Sequence, residues 1–539
     1  MITVTHLKRL REIIQIIRKY GLDEPLTRHQ GIPLLAGVLN IVGGKPAFDD
    51  QQPYGARLRE ALQELGPIFV KFGQIMSTRP DLFPEDVIGD LNVLQDQVSP
   101  FSGVLARNIV EQTLNSPIDA VFSSFDEIPI ASASVAQAHN AVLRSGEDVV
   151  VKVLRPGIRD QVNLDIQVMY SLARLFNLFR PNADNYRPRD LVGYFENVML
   201  NSLDLTVEAS NANRFRNRFE DDDFIYVPQV HWKYTRSDVM VLERVGGLSV
   251  RDVEELHSAG IDLQLFSENL VRTFFVQAFH DRFFHGDLHP GNMFVSELGQ
   301  LRMVDFGIMG ILSEIDCKYL VENILAILRQ DYQRVVDLHI RSGWAPSDIS
   351  AQDFEICIRS VCEQYVNQPV GEISSGRLMG RLFRVFREFG IVVQPQLLLF
   401  QKTYLNLEGL VKTLCPELDI GATARPILED WARKQTSISN LSEKIRTETP
   451  YLLSIAPEIP RLAHMVLSYI NENQMRGRAM GSVQGPSGIS SELFFTLLGS
   501  ALLIAAVVDW SNDGFGFLTL ILGGAAAICL RTAWPNRRK

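Results

Sequence analysis

Two short polar motifs in the second half of the chain constrain the fold more than any other feature. Residues 285–292 read His-Gly-Asp-Leu-His-Pro-Gly-Asn, and a short apolar run further on ends in Asp305-Phe306-Gly307. A carboxylate at Asp287 can take a proton from an attacking hydroxyl or water, whereas Asn292 and Asp305 offer the oxygen ligands that Mg²⁺ prefers. In this order the motifs predict a phosphoryl-transfer site, with Asp287 as the catalytic carboxylate and Asn292 and Asp305 as metal ligands.

A lysine upstream matches the next requirement of a kinase-type site. Protein kinases place a lysine at the end of a buried strand and pair it with a glutamate on a helix. Val149-Val150-Val151-Lys152 has that pattern. Because an unpaired buried ammonium is costly, we expect an anionic partner, and Glu208 in a helical pattern downstream is the predicted one. A surface lysine at a strand end is the alternative, which the downstream motifs disfavour.

The segment before this lysine departs from the usual phosphate-covering loop. Kinases have a glycine-rich G-x-G-x-x-G there, but this chain has an alanine-rich stretch. Small residues still let the backbone approach phosphate, whereas alanine lacks the access of glycine to positive φ, so a stiffer loop is expected. The predicted nucleotide-binding residues of this loop are Ile130, Ala131, Ser132, Ala133, Ser134, Val135, Ala136, Gln137 and Ala138.

Composition excludes some other classes of function. The net charge of −10 argues against a nucleic-acid-binding protein, which needs a basic surface.

Histidines at 280, 285 and 289 raise the alternative of a zinc site. His285 lacks the following glutamate of a zinc protease motif, and Pro290 and Gly291 would break the helix that such a motif requires, so zinc is disfavoured.

Both ends of the chain have membrane-type patterns. The first residues form a basic amphipathic pattern that suits either a membrane interface or packing on the chain's own domain. Near the other end, apolar runs at 493–508 and 514–530 are split by a short acidic loop and flanked by basic residues. Each run is near the lower length limit of a spanning helix, and the flanks predict both ends on the cytoplasmic side. A buried hairpin of a soluble core is the alternative.

The alternation of patterns predicts an α+β, protein-kinase-like two-lobe fold with an N-terminal helical extension and a C-terminal transmembrane hairpin. The predicted segments are an amphipathic N-terminal segment (1–48), a helical extension (49–124), a β-rich N-lobe (125–245), a helical C-lobe (246–435), a helical segment with linker (436–490) and two transmembrane helices (491–531).

A further motif points to a particular kinase family. Lys71-Phe72-Gly73-Gln74 forms a K-x-G-Q motif, with Lys71 and Gln74 on one helix face. Together with the alanine-rich loop, the H-x-D-x-H-P-G-N loop and the Asp-Phe-Gly motif, it resembles the ABC1/UbiB family of atypical kinases, from about residue 5 to the C-terminus. In that family the K-x-G-Q helix lies across the protein-substrate groove and directs its lysine at the nucleotide site. One departure is Ser202, which stands where the E-x-D motif of the family has its first acidic residue, although Asp204 matches.

The resemblance implies an ATP- and Mg²⁺-dependent atypical kinase or ATPase required for aerobic ubiquinone biosynthesis, which regulates or assists the hydroxylation of quinone precursors. It implies catalytic roles for Lys71 and Gln74, and as partners isoprenoid-quinone precursors, other quinone-synthesis proteins and membrane lipid. It also implies a bacterial inner-membrane protein with a cytoplasmic kinase-like domain. Two alternatives remain at this point: a small-molecule phosphotransferase of the aminoglycoside or choline kinase type, and a pseudokinase scaffold that binds nucleotide without turnover.

Overall fold

The computed structural model describes residues 4–22, 52–77, 79, 85–94, 98–179, 188–346, 348–366, 375–391 and 393–436. The chain divides into two compact units, Met1–Glu429 and Asp430–Lys539. The candidate site lies within the first unit. Of the second, the described part is residues 430–436. The α+β, kinase-like fold predicted from the sequence is confirmed.

Helices precede the first strand in the described part of the chain. Their bounds are α1 Val4–Lys19, α2 Tyr54–Leu65, α3 Pro67–Met76, α4 Glu85–Asn92, α5 Gly103–Leu114 and α6 Ile118–Val121. A break separates α2 from α3 because Gly66 has a φ of +105°, which glycine tolerates, and Pro67 then supplies a preset first helical position.

An antiparallel sheet of five strands forms the β-rich lobe. It contains β1 Phe122–Phe125, β2 Ala131–Ser132, β3 Ala136–Leu143, β4 Asp148–Leu154 and β6 Val239–Glu243, in the order β1-β3-β4-β6 with β2 paired to β3. Between β4 and β6 lie α7 Ile158–Phe179, α8 Pro188–Ser202, α9 Leu205–Arg218 and the short β5 Ile225–Tyr226.

One face of the sheet is buried through alternation of the side chains over Val149–Val153 of β4. Val149, Val151 and Val153 are fully buried in a cluster that includes Val110 of α5. Because successive side chains of a strand point to opposite faces, Lys152 lies on the other face, away from this core. The alternation therefore places the lysine on the face of the sheet that the apolar cluster leaves open to polar partners.

The helical lobe holds the polar motifs between short strands. Its strands are β7 Leu248–Ser249, β8 Phe283–His285, β9 Met293–Val295, β10 Leu301–Met303 and β11 Met309–Ile311. They pair in two small sheets, β5-β10-β9-β7 and β11-β8. The helices are α10 Val253–Ser258, α11 Leu263–Phe275, α12 Glu314–Leu328, α13 Tyr332–Arg341, α14 Ala351–Val366, α15 Ser375–Glu388, α16 Pro395–Leu414 and α17 Ile420–Thr436.

The predicted transmembrane hairpin, over 493–508 and 514–530, falls outside the described residues. Within the described ranges, no helix combines the length and the apolar character needed to cross a membrane.

Candidate active site

A lysine and two carboxylates from three separate elements meet on the open face of the β-rich sheet. Lys152 Nζ of β4 lies 2.7 Å from Oε1 and 2.8 Å from Oε2 of Glu208 on α9, and 3.6 Å from Oδ1 of Asp305. The pairing of Lys152 with Glu208 predicted from the sequence is therefore present in the structure. The side chain of Glu208 is 9% exposed and that of Asp305 is 48% exposed, so one carboxylate is enclosed and the other faces the open cleft.

The charges of this group shift one another's ionisation. The Lys152 ammonium lowers the pKa of Asp305 to about 2, with a smaller contribution from Lys71, so Asp305 is ionised at neutral pH. Burial disfavours the charged form of Lys152, but the charges of Asp305 and Glu208 outweigh it and raise the pKa of the lysine. For Glu208, burial raises the pKa, and the nearby Lys152 opposes that effect. The lysine therefore stays charged in the cleft.

His285 joins the catalytic loop to the Asp305 segment. Its Nε2 donates to the carbonyl oxygen of Asp305 at 2.8 Å, and its Nδ1 accepts from the backbone N–H of Asp287 at 3.1 Å. This network assigns the neutral tautomer with the proton on Nε2. Burial lowers the pKa of His285, which agrees with a neutral ring. Both ring nitrogens hold backbone groups, and the sequence analysis missed this structural role of His285.

Asp305 itself has a constrained backbone. Its φ is +63°, an uncommon value for a residue other than glycine, and its Oδ1 accepts from the N–H of Gly307 at 3.1 Å. Such strain is characteristic of functional positions because the surrounding structure has to maintain it. Here the hydrogen bond from His285 to the Asp305 carbonyl helps to hold that conformation.

The predicted metal ligands fit Mg²⁺ by their chemistry. The amide Nδ2 of Asn292 donates to the Asp287 carbonyl at 3.4 Å, which leaves its amide oxygen as the ligand atom, and the carboxylate of Asp305 is ionised. Mg²⁺ in kinase sites takes its other ligands from phosphates and water. The described residues contain no group of three or more His, Cys, Asp or Glu side chains placed to hold a metal ion.

The K-x-G-Q helix, α3, lies within electrostatic reach of this site. The charge of Lys71 lowers the pKa of both Asp305 and Lys402. The helix packs closely at Gly73, where a Cβ atom would lie 2.4 Å from Cδ1 of Leu94. Gln74 Nε2 donates to the carbonyl of Leu94 at 3.2 Å, so this side chain helps to fix α3 in place. A role of Gln74 in the reaction stays a prediction.

The alanine-rich loop is a tight hairpin held by one arginine. Arg155, just beyond β4, donates from Nε to the Ala133 carbonyl at 2.9 Å, from Nη2 to Ser132 Oγ at 2.7 Å and from Nη1 to the Ser99 carbonyl at 3.1 Å. The side chain of Gln137 is buried and exchanges hydrogen bonds with both backbone groups of Phe101. The loop is thus tied to the preceding segment, and the nucleotide contacts of residues 130–138 stay predictions.

Ser202 and Asp204 take structural roles at the junction of two helices. Asp204 is the N-cap of α9, and its carboxylate accepts from the N–H of Thr206 at 3.0 Å. Ser202 Oγ donates to the Val198 carbonyl at 2.9 Å, within α8. Since α9 carries Glu208, the cap at Asp204 contributes to the placement of that carboxylate.

With this geometry established, comparisons with known proteins identify the family. A model of the ABC1 atypical kinase-like domain matches residues 93–339, and a model of the UbiB helical domain matches residues 358–419. A protein named "Probable protein kinase UbiB" from Marinobacter nauticus is 40% identical over 97% of this chain and 94% of its own length. The chain belongs to the UbiB family of atypical kinases. A second relative of that name, from Xanthomonas euvesicatoria pv. vesicatoria, is 41% identical over 98% of this chain and 99% of its own length. A chain of the solved complex of Rv3197 with erythromycin from Mycobacterium tuberculosis aligns with 67% of this chain and 92% of its own length, at 20% identity and a TM-score of 0.48.

The two UbiB-family regions contribute different parts of the site. The atypical kinase-like region contains Lys152, Glu208, Asp287 and Asp305, whereas the helical region contains Lys402 of α16. Lys402 Nζ lies 3.9 Å from Asp287 Oδ1, and the sequence analysis did not single it out. It stands in an ordinary helical pattern with no motif around it, so proximity in the fold is the signal that reveals it.

Proposed function

We propose that this chain is an ATP-dependent phosphotransferase or ATPase that supports aerobic ubiquinone biosynthesis at the bacterial inner membrane. The observation that carries the proposal is the meeting of Lys152, Glu208 and Asp305 beside a catalytic loop that holds Asp287. In kinase-type sites these positions bind the phosphates of ATP, hold the metal and orient the acceptor. Bound Mg²⁺, held by Asp305 and Asn292, would neutralise phosphate charge.

A small molecule or water is the acceptor that we propose. The Asp287 side chain is 34% exposed, which leaves room for an acceptor hydroxyl. Lys71 of α3 lowers the pKa of Asp305, and Lys402 of α16 lies 3.9 Å from Asp287. Both helices lie outside the region that the model of the kinase-like domain matches. A site bordered by such additions suits a compact acceptor better than an extended peptide. Isoprenoid-quinone precursors, other quinone-synthesis proteins and membrane lipid are the proposed partners.

The role in ubiquinone synthesis rests on a different support. The similar proteins bear the name UbiB and are 40% and 41% identical to this chain over 97% and 98% of its length. We propose that the activity assists the hydroxylation of quinone precursors, with the kinase-like domain on the cytoplasmic side and a two-pass C-terminal hairpin. A full-length protein recovered entirely in the soluble fraction after gentle lysis would contradict the membrane part of the proposal.

Turnover by the purified full-length protein tests the function. Free phosphate and labelled product are measured with ATP and Mg²⁺, in lipid, with and without phenolic quinone precursors. Asp287→Asn keeps the loop shape but removes the proton acceptor, so we expect turnover to fall about 10²–10⁴-fold while nucleotide binding persists. The variant should also fail to restore ubiquinone in a bacterial strain that lacks its own UbiB protein. Equal turnover by the variant and the wild type would refute the proposal.

A further inference from the structure

Helix α16 is seated directly on the catalytic loop. Thr403 Oγ1 donates to the Gly286 carbonyl at 3.0 Å in a buried position. A Cβ atom on Gly286 would lie 3.0 Å from Cδ2 of Leu399, so the absence of a side chain lets the helix approach this closely. Phe400, which follows Leu399 in the chain, stacks on Phe274, with ring centroids 5.3 Å apart. These contacts fix the register of α16 against the loop that carries Asp287.

In this register, the ammonium of Lys402 lies beside the carboxylate of Asp287. Lys402 Nζ lies 3.9 Å from Asp287 Oδ1, and the two side chains are 25% and 34% exposed. That distance is within the range of an ion pair but too long for a hydrogen bond. The N–H donors of Lys402 are therefore not committed to Asp287.

The surroundings of this ammonium favour additional negative charge. Burial lowers the pKa of Lys402, and the positive charge of Lys71 lowers it further, whereas Asp287 opposes both effects. Lys152, another lysine of the cleft, already donates to both oxygens of Glu208. An anionic group that enters beside Asp287 would thus find its cation in Lys402.

We propose that Lys402 contacts the terminal phosphate of the bound nucleoside triphosphate and acts as a catalytic cation supplied by the helical region, an inference that rests on the function proposed above. In the step, the bond between the terminal phosphorus and the bridging oxygen breaks, and its electron pair stays on the departing diphosphate. A new bond forms from phosphorus to the acceptor oxygen, whose proton passes to Asp287. Lys402 donates hydrogen bonds to the oxygens of the transferring group, on the side of the acceptor.

A reactive nucleotide tests this contact without requiring turnover. The probe is an acyl-phosphate derivative of ATP, which acylates lysines next to the terminal phosphate, and the labelled peptides are identified by mass spectrometry on the full-length wild type. We expect labelling of Lys402 that excess ATP suppresses. Lys412 lies on the same helix and pairs with Glu408 at 2.8 Å, so it is the matched control and should stay unlabelled.

The pattern of labelling separates the two hypotheses. If ATP-protected labelling occurs at Lys152 but not at Lys402, the nucleotide site stands and the contact of Lys402 is refuted. If no lysine of the cleft is labelled in an ATP-sensitive manner, the nucleotide function itself fails, and this inference fails with it.

Kinetic constants supply the second test. Lys402→Met should lower kcat about 10²–10³-fold with little change in KM for ATP, since the lost interaction strengthens in the transition state. Lys402→Arg, which keeps the charge, should recover part of kcat, and Lys412→Met should leave kcat unchanged. A Lys402→Met variant that melts like the wild type and keeps its kcat within about twofold would overturn the proposal.

Discussion

Lys152 donates hydrogen bonds to both carboxylate oxygens of Glu208, at 2.7 and 2.8 Å, across the boundary between β4 and α9. The pair holds the ammonium in one position while Asp305, 3.6 Å away, completes the charge balance. Glu208 is thus the enclosed partner of the lysine, and Asp305 is the partner that faces the cleft.

Glu208→Gln should weaken nucleotide binding because the neutral amide no longer balances the charge of Lys152. We expect the Lys152 ammonium then to move toward Asp305. Losing about 1.4 kcal/mol of binding free energy corresponds to a tenfold rise in Kd, and we expect a rise of at least about that size. The measurement is titration with ATP and Mg²⁺. Glu322→Gln, at an ion pair with Arg334 on other helices, is the control. Unchanged affinity in Glu208→Gln would contradict the assigned role.

Asp305→Asn should weaken binding of ATP more strongly in the presence of Mg²⁺ than in its absence. The carboxylate is ionised, with a pKa of about 2, and its charge attracts the metal, whereas a neutral amide is a weaker ligand. Dissociation constants are measured with Mg²⁺ and with a chelator. Asp238→Asn, at the exposed ion pair with Arg159, is the control. An equal loss in both conditions would show that Asp305 is not a metal ligand.

Lys71→Ala should alter nucleotide affinity or turnover while folding stays intact. The charge of Lys71 lowers the pKa of Asp305 and Lys402, so its removal changes the field in the cleft. A lysine on a solvated face would instead change stability by no more than about 0.5 kcal/mol and leave activity unaffected. Affinity, turnover and thermal midpoint are measured together, with Lys19→Ala as the surface control. Unchanged affinity and turnover would remove Lys71 from the site.

Arg155→Lys should loosen the alanine-rich loop. Lysine cannot reproduce the planar fork that contacts Ser132, Ala133 and Ser99 together. Each lost hydrogen bond contributes about 1 kcal/mol, so amide exchange in the loop peptide should quicken by roughly fivefold or more. Hydrogen–deuterium exchange with mass spectrometry measures this, and Arg159→Lys serves as the matched variant. Equal exchange rates would show that other contacts hold the loop.

Stability should decline as pH falls through the range of histidine titration. Burial lowers the pKa of His139, His285 and His339, so these rings are neutral in the folded state but take up protons when unfolded. The unfolded chain therefore binds more protons once the pH drops below about 6.5, which favours unfolding. The thermal midpoint should be lower at acidic than at neutral pH. His339→Gln should reduce that dependence, and a midpoint independent of pH would contradict the neutral assignment.

The sequence by itself determined the α+β, kinase-like fold class and the candidate site residues. The Asp287 and Asp305 motifs are contiguous, and Lys152 directly follows an apolar run, so local pattern was sufficient to single out these residues. The pairing with Glu208 followed because a buried ammonium requires an anion. The membrane hairpin, by contrast, stays a prediction.

The tertiary structure alone decided which distant residues join this chemistry. Lys402 lies near Asp287 because Gly286 lets α16 approach the loop and Thr403 sets the register of the helix. The sequence pattern of α16 does not predict this contact. Arg155 and His285 likewise act through backbone carbonyls, at Ala133 and Asp305, which any residue could supply. Contacts between segments far apart in the chain depend on how whole elements pack. Every residue carries the backbone carbonyl that completes such a contact, so the residue type does not predict it.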